Sequence, residues 1–433
     1  AIMTPPSLSI PQENTRANPK LAPWVHGRAT RLLLLAGLLA ACLAPLGAFA
    51  NDNTGSEAET LVAEYIDAWK AFYPSRAFAY GDRTSAGVFE DFGGSRVDDW
   101  LAFNGQAASA ARSLLASENL DLQARTDLKV LLGQTLDEQA NWREDDPLHR
   151  QPQWYAGRVS QALTHLLVRD QLSTSTRWDA LLNRLQGVAR LCRLGVDSIE
   201  QGNPQRTERA LRTLAGTRAF YEGGLPDLLD TWPGAASGSD LRQAVDGSLD
   251  EAVTAIRALE THLEALLPDM DDPVAIGLER YTAKLARRSS AQMTPDRLRE
   301  QAGAEMRRVR TLMVEEARRW QRSLDSESAP DPGLSDEALL AAALEAMEAD
   351  REDNQAAFLE QFVTLTEASE RFVEDHGIAT VPKPTTLYIA LSPAHFSGAA
   401  VGGVYPSGPF DPQADTLFYI PSVPDDAPPE ARE

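Results

Sequence analysis

The chain has 433 residues and a formal charge of −22, with 63 acidic residues against 41 basic ones. That balance excludes a nucleic-acid partner, because phosphate recognition rests on Lys and Arg, and it excludes electrostatic docking on an anionic membrane surface. Any membrane contact is expected only through a leader or a lipid anchor.

Residues 1–50 read as that leader. Arg28 and Arg31 precede an apolar run from Leu32 to Ala41 that is too short to span a bilayer and fits the hydrophobic region of a secretory signal. Two processing sites compete. Ala48-Phe49-Ala50 has the small-x-small form of ordinary signal cleavage, while Leu39-Ala40-Ala41-Cys42 resembles a bacterial lipobox, in which Cys42 is the lipid anchor. Either way the protein is expected to be exported, and to be periplasmic or lipid-anchored to a bacterial envelope membrane. Cys192 then stands alone, because Cys42 is either removed with the leader or lipidated. It forms no intrachain disulfide and, in its apolar helical stretch, is expected to be a buried small residue.

From Ser56 onward apolar residues recur at helical spacing, as in Leu61, Val62, Tyr65, Ile66, Trp69 and Phe72, and Ser56 with Glu59 has the form of a capping box. That helix is expected to end near Pro74. Further helices are expected over 97–117, 121–142, 152–172, 178–194, 198–201 and 207–221, separated by short polar breaks. A long amphipathic helix over 240–267 and another over 273–287 follow. Thr294-Pro295 supplies an N-cap and a first-turn proline for a helix through 324. After a Ser/Pro/Asp-rich break, Ser335 caps 336–375, one helix or two joined near Asp353, closed by His376-Gly377.

At Val381 the pattern changes. Thr385 to Leu391 is β-branched and aromatic, a glycine-rich run from Gly398 to Tyr405 follows, and Thr416 to Ile420 comes after a proline-rich turn. The expected architecture is mainly α: a large antiparallel helical array over 51–380 and a small C-terminal β-sheet within 381–433. This last part reads as truncated, because little chain remains to pack on the sheet. Part of the apolar surface of Leu387, Ile389, Phe418 and Ile420 is therefore expected to stay uncovered.

Three segments carry a family resemblance. They are Tyr65-Ile66-Asp67-Ala68-Trp69 with Tyr73-Pro74-Ser75-Arg76-Ala77 and Gly81-Asp82; Tyr281 to Arg288 with Met293-Thr294-Pro295-Asp296-Arg297-Leu298 and Gly303-Ala304-Glu305; and the stretch from Tyr388 to Tyr419. In this order they resemble a family of bacterial exported proteins catalogued as domain of unknown function 885 and regarded as zinc metallopeptidases. The resemblance implies a zinc-dependent peptidase acting on a peptide substrate, with this chain supplying the helical wall and edge sheet of the cleft. In such proteins the sheet leads into a helix bearing a His-Glu…His zinc motif, with an acidic ligand downstream. Two histidines on one helix face and a distant carboxylate would hold zinc with an open position, and the glutamate would act as general base. Neither element is present, so the expected cofactor of this chain is none, zinc belongs to the complete family protein, and the chain alone is expected to be inactive.

The resemblance also directs attention to the sheet, where an edge strand pairs with an extended substrate backbone. Gly402, Gly403 and Tyr405 are the substrate-binding candidates: glycines permit close approach of a second backbone, and a tyrosine hydroxyl can steady an oxyanion. The competing reading makes Gly402-Gly403 a bulge and Tyr405 a packed strand residue. His395, in a loop beside the sheet, has no second histidine at ligand spacing. His376 fits a helix end, where an imidazole meets free carbonyls. The acid pairs Asp145-Asp146, Asp271-Asp272 and Asp425-Asp426 lack the alternating spacing of a calcium loop. Trp100, Trp142 and Trp154 suit core packing better than a sugar cleft. From a different class of function, a non-catalytic exported scaffold or binding protein would use the sheet as a lid or docking edge.

Overall fold

In the computed structural model, which describes residues 54–168, 172–234, 239–289, 293–324, 330–331, 333–349, 355–381, 387–391 and 403–420, helix follows helix up to Asp375. α1 (Thr54–Phe72) starts upstream of the expected cap, and the Ser56 carbonyl accepts the Thr60 hydroxyl at 2.8 Å from within the helix. Pro74 opens α2 (Pro74–Ala79). α3 (Arg96–Leu115) and α4 (Leu122–Arg143) form a hairpin, in which the Asp121 carboxylate accepts the Ala124 N–H at 2.7 Å and satisfies a free amide of the first turn. α5 (Pro147–Arg150) and α6 (Pro152–Gln161) both begin at proline, where no N–H is needed.

Two expectations fail here for tertiary reasons. The single helix expected over 152–172 breaks after Gln161, because the Ala162 carbonyl accepts the buried Arg184 guanidinium at 2.6 Å; α7 (Thr164–Val168) then restarts. The short helix expected over 198–201 does not form. α8 (Thr174–Ser198) ends there, and the Glu200 and Gln201 N–H groups donate to the His149 carbonyl instead, at 3.1 and 3.2 Å. α9 (Pro204–Ala219) passes through a π-helical turn, Phe220–Gly224, into α10 (Leu225–Thr231), and α11 (Asp240–Leu266) follows.

α12 (Leu278–Arg288) starts later than Pro273 because Gly277 turns the chain with φ 83°. α13 (Pro295–Ser323) carries the expected cap, Thr294 accepting the Arg297 N–H at 3.2 Å. The stretch 336–375 holds two helices, α14 (Asp336–Ala349) and α15 (Gln355–Asp375). Gly377, at φ 60°, closes α15 as the sequence suggests, and His376 Nδ1 lies 2.9 Å from the Phe372 carbonyl oxygen.

The main core lies between α8 and α11. Leu181, Leu185, Val188 and Cys192 alternate by four and three residues, as do Val245, Leu249, Ala252, Ile256, Leu259 and Leu263 across from them, and all are buried. Each such Leu, Ile or Val contributes about 1.5–3 kcal/mol of apolar burial. Gly187 admits Phe89 onto α8, since a Cβ there would lie 2.5 Å from the Phe89 Cβ. A second core is aromatic: Phe72 stacks on Trp100 with centroids 4.7 Å apart, and Tyr73, Phe92 and Trp142 pack around the pair.

The sheet is small. β1 (Leu387–Leu391) and β3 (Thr416–Ile420) run parallel with Leu387 opposite Thr416, and β2 (Gly403–Tyr405) is antiparallel to β3 with Gly403 opposite Tyr419. The order is β1-β3-β2. Residues 385–386 and 398–402 of the expected strands lie outside the described residues. Phe362 of α15 covers Phe418 at 5.6 Å between centroids and Ile420 is buried, whereas Leu387 remains exposed.

Candidate functional site

The site is set where the turn joining β2 to β3 meets the turn after α2. Gly81 has φ +100°, and a Cβ there would fall 2.7 Å from both the backbone nitrogen and the Cβ of Asp411. A Cβ at Gly408 would lie 1.8 Å from the Tyr80 carbonyl oxygen. Two glycines therefore let two backbones touch, and the Phe410 N–H donates to the Tyr80 carbonyl at 3.0 Å. Arg83 closes the contact, with Nε at 2.9 Å and Nη2 at 2.5 Å from Asp411 Oδ2, and the Lys70 ammonium lies 4.2 Å from the centre of the Phe410 ring.

This docking holds β2 against the helical body. The Tyr405 ring meets His165 of α7 edge-on at 5.6 Å between centroids and Tyr419 of β3 at 5.9 Å. Burial, with Tyr419 adding to it, raises the Tyr405 pKa, so its phenol stays protonated at neutral pH and can donate. Gly403 lies on the same strand. Among the described residues only the Tyr405 ring comes within 4 Å of a Cβ built there, at 3.7 Å, which is an ordinary contact. β2 pairs with β3 alone, so among the described residues its other edge has no strand partner.

Of the residues singled out in the sequence, the structure brings Gly403 and Tyr405 together on β2, while Gly402, His395 and Cys42 lie outside the described residues. His165 was missed. No local signal marks it, since it is one isolated histidine on a five-residue helix and acquires meaning only when a strand 240 positions later, by the numbering of Tyr405, is laid beside it. Cys192 is fully buried, and burial first, with Glu260 also raising it, pushes the thiol up to about 12.

Trp100 and Trp142 are core residues that close a buried polar network. Glu138 Oε2 accepts from the Tyr73 hydroxyl at 2.7 Å and from Trp100 Nε1 at 2.9 Å, and the Tyr73 hydroxyl accepts from Trp142 Nε1 at 3.2 Å. Burial, reinforced by Glu138, raises the Tyr73 pKa. Asp145 and Asp272, from two of the acid pairs, hold basic side chains, and Asp425-Asp426 lies outside the described residues. Asp145 binds Arg280 and Lys284, each at 2.8 Å, on the wall of an open groove of about 820 Å³, and Asp272 pairs with Arg150. Among the described residues no group of three or more His, Cys, Asp or Glu is placed to hold a metal. The described residues thus offer no ligand set for zinc. No helix among them is long and apolar enough to cross a membrane.

Comparison with known proteins adds a family and a fold. The model of a family described as "Bacterial protein of unknown function (DUF885)" matches residues 74–432. None of the curated proteins matches the chain. Two solved structures share the fold. One is a candidate lipoprotein of unknown function from Shewanella oneidensis, with 17% identity over 87% of this chain and a TM-score of 0.63. The other is a candidate lipoprotein from Colwellia psychrerythraea, with 11% identity over 85% of this chain and a TM-score of 0.62. The chain spans 66% and 67% of their respective lengths.

Proposed function

Because the chain belongs to the DUF885 family of bacterial proteins of unknown function, we propose that it supplies the helical wall and the peptide-binding edge strand of an exported peptide hydrolase. The observation that carries this reading is the edge of β2 that has no strand partner among the described residues, where Gly403 meets only the Tyr405 ring and Tyr405 stands beside His165. An extended peptide added to such an edge gains main-chain hydrogen bonds without demanding a particular side chain at each position. A glycine lets the incoming backbone approach closely, and the neutral Tyr405 hydroxyl is a donor for a substrate carbonyl. Zinc is the cofactor expected of the complete family protein. The described residues do not fit it, and no step is routed through it.

Export to the envelope is part of the proposal. It rests on the leader around Arg28 to Ala41 and on the lipoprotein description of the two proteins that share the fold. Cys42 is the proposed lipid anchor, and incorporation of labelled palmitate that disappears in Cys42→Ala is the expected result.

The edge-strand reading is tested with Gly403→Val. The extra side chain meets only the Tyr405 ring among the described residues, so the fold is expected to keep its melting temperature while the affinity for an extended peptide, measured by calorimetry, falls about tenfold as the backbone approach is blocked. Unchanged peptide affinity in this variant sinks the reading. Peptide binding without cleavage by the protein under any metal supplied favours the non-catalytic binding protein instead.

A further inference from the structure

The helical body carries an unusual arginine. Arg158 of α6 is partly open to solvent, yet its guanidinium Cζ lies 3.7 Å from the centre of the Trp154 ring and 5.3 Å from that of Phe92. Arg76 of α2 is exposed and rests 5.4 Å from the centre of the Tyr73 ring, on the same aromatic cluster. Neither guanidinium makes an ion pair or a hydrogen bond among the described residues, although the chain is strongly acidic and Arg83, Arg150, Arg218, Arg242 and Arg287 each hold a carboxylate. Two carboxylates stand within electrostatic reach of Arg158, Glu138 and Glu90, and Glu90 Oε2 is buried with no hydrogen-bond partner among the described residues. Glu138 accepts from Tyr73, Trp100 and Gln134, and Glu90 Oε1 accepts from Ser75.

A guanidinium held over an indole face by its carbon can leave its N–H fork free, and that fork matches the two oxygens of a carboxylate. Burial first lowers the Arg158 pKa to about 10, with Arg76 lowering it further and Tyr73, Glu90 and Glu138 opposing. The group is therefore still charged at neutral pH, and a second cation stands within electrostatic reach. A partly desolvated charge without a direct ion pair is costly, and a bound anion relieves that cost.

We propose that Arg158, stacked on Trp154 and flanked by Arg76, forms a carboxylate-binding subsite that takes the free C-terminal carboxylate of a peptide or a short free carboxylic acid. The peptide source rests on the edge-strand reading above; the recognition of a carboxylate does not.

The test is calorimetric titration of the full chain with N-acetyl-Ala-Ala bearing a free carboxylate, with the same dipeptide as its C-terminal amide, and with propionate. The free acid is expected to bind about tenfold more tightly than the amide, and Arg158→Met to abolish that difference, because a single bidentate charged contact is lost. Arg158→Lys, which keeps the charge without the fork, is expected to recover part of it. Arg76→Ala alters an exposed side chain, so it keeps the fold even if an Arg158 variant does not, and is expected to weaken the acid about threefold. Competition by propionate identifies a free acid as sufficient ligand; its failure beside tight binding of the peptide acid identifies the peptide terminus. Equal binding of acid and amide, no binding of either carboxylate, or affinities indifferent to both arginines overturns the proposal. Binding of the free acid that falls in Gly403→Val but ignores both arginines removes the carboxylate subsite and leaves the edge strand standing. Arginine-dependent carboxylate binding with Gly403→Val silent does the reverse.

Discussion

α8 and α13 are helices of similar length and opposite fate. α8, with 25 residues, buries Trp178, Leu181, Arg184, Leu185, Val188, Cys192 and others, whereas α13, with 29 residues, has Ala317 as its one buried residue among those described. Both are capped by a hydroxyl residue, Ser173 and Thr294, and both present apolar side chains at helical spacing. The difference is the partner. α8 lies along α11, whose own apolar seam has the same four-three alternation, while α13 leaves Met306, Val309, Leu312 and Met313 exposed and is laced with local pairs such as Arg308 to Glu305 and Arg299 to Asp296. Exposed pairs of this kind are screened by solvent and add little to stability. Helical pattern makes a helix; a second matching face makes it part of a core.

The sharpest way to break this contrast is Ile256→Ala in α11. Ile256 is fully buried, and its truncation is expected to cost about 2–5 kcal/mol in urea unfolding, the loss of transfer energy plus the cavity left behind. A cost below about 1 kcal/mol would mean that the α8–α11 seam is no tighter than the α13 face. Glu138→Ala comes next. It leaves the Tyr73 hydroxyl and Trp100 Nε1 buried without their acceptor, at about 1–3 kcal/mol by the same measurement.

Alkaline titration sharpens the picture further. The folded-state pKa of Cys192 is raised from 9.0 to about 12, so its contribution to stability is fully present below pH 9 and is lost as pH rises from there toward 12. About 1 kcal/mol of stability is expected to go by pH 10, because one unit of pKa is worth 1.4 kcal/mol. In Cys192→Ala that part of the slope should vanish, and an unchanged slope would place the thiol outside the tight core.

Gly408→Ala separates the sheet from the body. The new methyl collides with the Tyr80 carbonyl, so hydrogen exchange is expected to quicken across 403–420 while the melting transition of the helical body stays within about 2 °C, as for a locally unfolding unit. The smallest effect is Met306→Ala on α13, expected within about 0.5 kcal/mol of the parent. A larger loss would show that this face is covered in solution.

How much of this was legible beforehand follows the same division. The mainly α character, the caps at Thr294 and Ser335, the αL stop at Gly377 and the late sheet could all be read locally, because each depends on residues within a few positions of one another. Gly403 and Tyr405 could be picked out as a glycine and a tyrosine on one short strand. The helix broken after Gln161 could not, since its break answers to Arg184, 22 positions from the Ala162 carbonyl it binds.

What the sequence by itself determined is therefore the mainly helical character with its late strands, the acidic composition, and membership in the family that its segments resemble. What only the tertiary structure decided is which amphipathic faces find partners, and which distant groups meet. Arg83 holds Asp411 across 328 positions, His165 faces Tyr405, and Arg158 settles on Trp154 without a carboxylate. Local propensity is a property of neighbouring residues and survives in any window of the chain. A contact between remote side chains exists only once the backbone between them has been fixed, so no window of the sequence contains it.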